Sequence, residues 1–300
     1  MTATLPPPSE SHRKRRSGPM EKTIWMLWLQ GWDHAPALSR ACLESWRQRN
    51  PGWTVRAVDL AQAEALLPEM GLTALRNKPA AISDRIRLAL LARYGGVWAD
   101  ATVFCIIPLD EWLPVDSPTG FFAFHRPGPG RPLATWLLGA RAGAPLVTAW
   151  HDASEGYWRG RRKAGTYYWV HHLFGELVRK DPALRRQWRA TPSRSARPPH
   201  FFATYGDRMY GPMPRGGLGH IASRRSPVYK LTNGGLPSSP HPASAYALFT
   251  VGEMPGADAR NAYTVLDRLR ESWRQDRIWV ESRRLAASRR RAPTSARRRG

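Results

Sequence analysis

The chain has 300 residues, 42% of them hydrophobic, which is enough for one large or two small domains with a buried core. Its 46 Lys and Arg against 23 Asp and Glu leave a formal charge of +23, a balance that favours anionic partners: nucleic acid, acidic membrane surfaces or phosphorylated ligands. Two cysteines, Cys42 and Cys105, cannot build a disulfide framework, and no apolar run reaches the roughly 18 residues needed to span a bilayer.

The charge is unevenly placed. Residues 1–20 hold Arg13, Lys14, Arg15 and Arg16 against Glu10, and 283–300 hold eight arginines and no acid. These ends supply +11 of the +23 and read as solvated, disordered tails, with a tether to an anionic membrane or to nucleic acid as the competing reading. The basic start is followed by Pro and Glu rather than by an apolar leader core, so the expectation is a cytoplasmic protein, at most peripheral to the membrane.

From residue 22 onward the elements follow in order. "KTIWMLWLQ" (22–30) is an apolar run suited to a buried strand, and "APALSRACLESWRQRN" (35–50) carries apolar residues at helical spacing. "PGWTVRAVD" (51–59) restarts with a Pro-Gly turn and a second strand, completing a βαβ unit with a parallel sheet. Residues 59–76 read as helical. A further helix starts at Pro79, carries an apolar stripe of Ile82, Ile86, Ala89 and Leu90, and stops at Gly95-Gly96. One strand, "VWADATVFCII" (97–107), is expected next. Later, "YYWVHHLFGEL" (167–177) reads as a helix, 191–226 as an aperiodic loop free to lie over a site, and "ASAYALFT" (243–250) as a strand or helix. "ADARNAYTVLDRLRESW" (257–273) reads as a final amphipathic helix, and no internal repeat is present.

The spacing of the polar residues in 81–104 is informative. Asp84 and Arg87 are three apart and share a helix face, while Arg85 points elsewhere. Asp100 is expected near the middle of the following strand with Thr102 on its side. A carboxylate in so apolar a strand needs a partner or a cation. The residues alone leave two readings open: an ion-pair cluster of Asp84, Arg87 and Asp100 without a ligand, or a binding site.

"SDRIRLALLARYGGVWADATVF" (83–104) resembles the sugar-binding signature of glycosyltransferases with a DXD motif. In particular it is similar to the capsular polysaccharide synthesis protein family, relatives of mannosyltransferases and toxin-type retaining glycosyltransferases with the pattern S-D-x-x-R, then G-G-x-Y-x-D-x-D. "IWMLWLQGWDHAPALSRACLESWRQRNPGW" resembles the family's opening, and "LDEWL", "FFAF", "YYWVHHLF" and "SPVYKLT" its later landmarks in the same order, over about 22–235.

The resemblance implies a GT-A fold: a Rossmann-like α/β sheet with flanking helices in a single catalytic domain, 21–282, that holds a nucleotide-diphosphate sugar at the carboxyl ends of its strands. It implies that Asp100 is the first acid of the DXD motif and a ligand for Mn²⁺ or Mg²⁺, and that Asp84 and Arg87 bind donor hydroxyls or ribose; these three are the expected catalytic set. Thr102 stands where the second Asp belongs, and a hydroxyl is a poorer ligand for a hard cation. Three arrangements follow: Asp100 holds the ion alone, later residues hold it, or basic side chains neutralise the diphosphate. Further expected donor contacts are Thr102 itself; Trp28, as a stacking or a core residue; His171, as a structural histidine or a contact to phosphate, metal or acceptor; and Lys230, as a diphosphate partner or a surface lysine. Trp25 reads as core.

The resulting expectation is a glycosyltransferase, retaining by analogy, that acts on a capsular or surface polysaccharide or a lipid-linked glycan precursor, with no nucleic-acid partner. A non-enzymatic basic module that binds anionic membrane or nucleic acid is the alternative, and an inactive scaffold gains support only from Thr102.

Overall fold

The structure, a computed structural model, describes residues 19–72, 78–113, 119–203 and 207–251. Residues 1–18 of the tail expected at 1–20, the tail at 283–300 and the helix expected at 257–273 lie outside the described residues, while Met20, expected in the solvated tail, is buried in the core.

The chain opens with β1 (Thr23–Leu27), α1 (Ala37–Arg49) and β2 (Thr54–Val58), and β1 pairs parallel with β2 from Thr23↔Thr54 to Leu27↔Val58. This is the expected βαβ unit. α2 (Leu60–Leu66) begins with a reciprocal cap in which Asp59 accepts from the Gln62 amide at 2.7 Å and the Gln62 side chain accepts from the Asp59 amide at 3.0 Å. It ends at Leu66 instead of running to 76, because Pro68 lacks the N–H that a continuing helix needs.

α3 (Pro79–Tyr94) has Pro79 in its first turn and buries Ile82, Ile86, Ala89 and Leu90 as the spacing predicts. The glycine pair after it has a steric cause as well as a conformational one. Gly95 and Gly96 have φ of 67° and 92°, and a Cβ on Gly96 would strike the Thr23 carbonyl oxygen while one on Gly95 would strike the Glu21 carboxylate. Only glycine lets β3 (Gly96–Ala99) lie directly against β1, with Ile24↔Val97 and Trp25↔Trp98 in register.

The expected strand 97–107 is two strands. β3 ends at Ala99, residues 100–102 turn with the Val103 amide on the Asp100 carbonyl at 2.9 Å, and β4 (Val103–Cys105) leaves for a separate ribbon with β8 (Val228–Lys230). Asp100 therefore sits at the carboxyl end of β3, where a polar side chain can reach a cleft, and not within a buried strand. α4 (Leu109–Trp112) leads to β5 (Phe121–Gly128) and β6 (Arg131–Ala140), an antiparallel hairpin whose β6 pairs antiparallel with β3. β7 (Arg194–Ser195) completes a sheet ordered β2-β1-β3-β6-β5-β7, in which only β6 runs against the others.

Alternate side chains of β1, β3 and β5 enter two cores, so these strands read as continuous apolar runs. Ile24, Met26, Val97, Phe122 and Phe124 face α1 (Ala37–Arg49), which contributes Leu38, Cys42 and Trp46. Trp25, Leu27, Trp98 and Phe121 face α3, α5 (Pro145–Trp158), α6 (Trp169–Lys180) and α7 (Pro182–Ala190). Cys42 and Cys105 are buried and unbridged. Residues 191–226 contain β7, α8 (Asp207–Tyr210) and α9 (Gly217–Ala222), and bury Phe202, Met209 and Ile221 in the α1-side core. α10 (Ala245–Val251) settles 243–250 as helix and adds Phe249 to the same core.

Candidate functional site

A cleft of about 770 Å³ opens at the carboxyl ends of β1 and β3, bounded by the first half of α3 and by the connection from α5 to α6. Trp28, Asp84, Arg87, Asp100, Thr102 and His171 all line it. A second depression of about 650 Å³ beside Tyr210, Pro237 and His241 holds no comparable charged cluster.

Arg87 is the hub. Its guanidinium, on a residue only 4% exposed, donates through Nη1 to Asp84 Oδ1 at 2.5 Å and through Nη2 to Asp100 Oδ1 at 2.7 Å, and lies 5.0 Å above the Trp98 ring. One planar fork thus ties α3 to the end of β3. Arg85 faces away, as expected, in a bidentate pair with Glu155 of α5.

The two carboxylates differ in proton affinity. Burial pushes Asp84 up to about 6 against the pull of Arg87, and the neighbouring Asp100 charge adds to the rise. The Trp169 indole N–H favours the Asp84 charge from outside hydrogen-bonding geometry. For Asp100 burial also works against ionisation, but Arg87, Lys230 and the Trp98 indole, which donates to Oδ1 at 2.8 Å, hold it below the ordinary value. Both are therefore ionised at neutral pH, Asp100 the more firmly, and Asp84 is the one closer to accepting a proton.

Lys230, unlike the other expected donor contacts, is not among the residues that line the cleft and reaches the cluster from behind Thr102 and Asp100. Register Val103↔Lys230 in the β4–β8 ribbon brings it beside Thr102, whose hydroxyl accepts from Nζ, and Nζ lies 3.4 Å from Asp100 Oδ2. It is not a free surface lysine. The expected role of Asp100 as a metal ligand meets oxygens already engaged: Oδ1 takes two donors and Oδ2 faces an ammonium. Among the described residues no group of three or more His, Cys, Asp and Glu side chains is arranged to hold a metal ion. This donor set does not fit a divalent cation held by the protein.

His171, in the first turn of α6, is 8% exposed, and burial followed by the Arg87 and Arg131 charges pushes its imidazole down to about 3. It is a neutral ring whose Nδ1 has no partner. The same is true of nitrogens in four other cleft-lining residues: the indole N–H groups of Trp28, Trp158 and Trp169, and Nε of Arg87. Buried polar nitrogens left unpaired are costly, and these five belong to residues that line one cleft. Trp25 is core, as expected, and its indole donates to the Gly95 carbonyl at 2.8 Å.

The segment expected to cover the site is a different one. No described residue of 191–226 lines the cleft; Arg162, Lys163, Thr166 and Tyr167 of the α5–α6 connection do. Their signal was visible in "RGRRKAGTYYW" (159–169), four cations followed by three aromatics of which Trp169 is the last, with Trp158 immediately before the string. Their role depends on α5 packing against α3 and α6 against β6, which no local pattern discloses.

Comparison with known proteins agrees with the motif. The chain is 27% identical over 210 residues to the glycosyltransferase afumC of Aspergillus fumigatus, an overlap of 63% of this chain and 51% of that protein. It is 28% identical over 159 residues to the O-glycosyltransferase PaGT of Phomopsis amygdali, covering 46% of this chain and 39% of the relative. The chain thus spans about half the length of these curated relatives or less. Among solved structures, the PaToxG glycosyltransferase superposes with a TM-score of 0.42 at 15% identity, covering 59% of this chain and 76% of that one. The model of the capsular polysaccharide synthesis protein family matches residues 8–235, from ahead of β1 to past β8, and the chain belongs to that family.

Proposed function

We propose that the cleft binds a nucleotide-diphosphate sugar and that the chain transfers the sugar, with retention, to a hydroxyl of a surface polysaccharide or a lipid-linked glycan precursor. The observation that carries this reading is the Asp84–Arg87–Asp100 cluster, lining one cleft with Trp28 and His171 at the strand ends where α/β sheets bind nucleotides. Trp28, at the carboxyl end of β1, stacks on the base. Asp84 and Arg87 bind donor hydroxyls, and neutral His171 adds a hydrogen bond without competing charge.

In the reaction the bond from the anomeric carbon to the diphosphate oxygen breaks, and a bond to the acceptor oxygen forms on the same face. The acceptor proton leaves on the departing phosphate. The chain's own contribution is to orient the sugar and to stabilise the charge that grows on the diphosphate with fixed donors. A hydroxyl acceptor accords with the word O-glycosyltransferase in the name of one relative. The exposed cations of the α5–α6 connection, Arg159, Arg161, Arg162 and Lys163, beside Tyr167, suit an acceptor with anionic phosphate at a membrane surface. Domain limits of 21–282 with basic tails at both ends accompany this reading, and no helix among the described residues is long and apolar enough to cross a membrane.

The test is a panel of sugar nucleotides incubated with the full chain, reading release of UDP or GDP in the presence of a lipid-linked acceptor. Release from one donor supports the proposal. Neither binding nor release with any donor, alongside tight binding to nucleic acid or acidic vesicles, favours the basic-module alternative.

A further inference from the structure

We infer that Lys230 is a built-in counter-charge for the donor diphosphate, standing where a divalent cation would otherwise be held, so that donor binding needs no metal. The inference rests on the nucleotide-diphosphate reading above.

Three observations meet here. The ammonium is aimed at the two side chains of the D-A-T turn: it donates to the Thr102 hydroxyl and pairs with Asp100 Oδ2 at 3.4 Å. A hydroxyl in place of the second acid is a weak ligand for a hard cation but a good acceptor for an ammonium, which gives the Thr102 departure a physical purpose. The lysine is also placed by backbone. Lys230 closes the β4–β8 ladder opposite Val103, the Leu231 amide donates to the Thr102 carbonyl at 2.8 Å, and the Tyr210 hydroxyl holds the Thr232 carbonyl at 2.8 Å. A side chain set by strand pairing needs little further ordering when a phosphate arrives.

Charge points the same way. Asp84 and Asp100 face Arg87 and Lys230, so the ionised cluster sums to zero without an added ion. A divalent cation at Asp100 would sit against an ammonium and a guanidinium in a partly desolvated site, where like charges repel strongly. Lys230 has three donors; with Thr102 and Asp100 taking two, one remains for a phosphate oxygen, and its side chain is 22% exposed.

The experiment titrates UDP and GDP into the full chain by calorimetry, once with EDTA and once with excess Mn²⁺, and repeats both on Lys230→Gln and Lys230→Arg after circular dichroism confirms their folding. Expected are equal affinities for the parent in the two buffers, within about twofold, and a loss of about tenfold or more in Lys230→Gln in both, largely restored in Lys230→Arg. The electron paramagnetic resonance signal of free Mn²⁺ should be unchanged by protein with UDP or GDP beyond what the nucleotide alone removes. Nucleotide binding that appears only with Mn²⁺, or Lys230→Gln binding like the parent, overturns this inference and leaves the donor reading standing. Binding in neither buffer overturns both. If Lys230→Gln does not fold, the parent's EDTA and Mn²⁺ comparison decides alone.

Discussion

Arg87→Lys separates a charge from a geometry. The parent guanidinium spans two carboxylates at once, Asp84 at 2.5 Å and Asp100 at 2.7 Å, from a side chain 5% exposed. A lysine keeps the charge but presents it at one point, so it serves one carboxylate and abandons the other. If it stays with Asp84, Asp100 retains Lys230 and the Trp98 indole. The cost is then one charge-assisted hydrogen bond, about 1.5–3 kcal/mol, plus the lost stacking on Trp98, about 1 kcal/mol. If it turns to Asp100, Asp84 is left buried without a cation, and the penalty rises toward the roughly 3–5 kcal/mol of a broken buried pair unless Asp84 takes up a proton. Its affinity near 6 makes that escape easy. The net expectation is about 2–4 kcal/mol of lost stability, read by urea unfolding of both proteins at neutral pH. Donor affinity should fall by about tenfold or more, read by nucleotide titration. An Arg87→Lys protein within about 0.5 kcal/mol of the parent and with equal nucleotide affinity would refute the fork argument.

Asp100→Asn keeps shape and removes the charge that orients Arg87 and Lys230, so transfer should fall on the order of a hundredfold while the folded state persists; near-normal turnover rules out a role in the reaction. His171 gives a pH test. Its folded affinity near 3 lies below the ordinary 6.5, so the unfolded chain takes up a proton first and stability is lost as pH falls from about 6.5 toward 3. Between about pH 7 and pH 5 the parent should lose about 2 kcal/mol more than His171→Gln, while Asp84, raised and therefore favouring the folded state on acidification, contributes to both and cancels. Parallel pH profiles would mean the imidazole is not held neutral. Replacing the eight arginines of 283–300 by serine should leave donor turnover unchanged and weaken co-sedimentation with acidic vesicles at low salt, at about 1 kcal/mol per charge near the surface. Unchanged vesicle binding would place the membrane contact on the body of the protein.

Local pattern determined a good deal of this protein. The βαβ start, the helix from Pro79 to the glycine pair and the shared face of Asp84 and Arg87 follow from periodicity, capping and i,i+3 spacing, all of which act within a few residues. Ordered motifs along the chain placed the family before any fold was known, because a run such as S-D-x-x-R with G-G needs no tertiary context to be recognised. Everything that turns the motif into a site depends on segments far apart in sequence. The break of the expected strand at 100–102 follows from β4 finding its partner in β8, and Lys230 reaches Thr102 across 128 residues only through that pairing. β6 enters the middle of the sheet against its neighbours, and residues 191–226 turn inward to a core instead of covering the cleft. The cleft wall comes from Trp158, Trp169 and Tyr167 because α5 packs on α3 while α6 packs on α5 and β6. Spacing rules report which side chains share one helix or strand face; which faces meet is settled by burial of the whole chain, and that decision belongs to the tertiary structure.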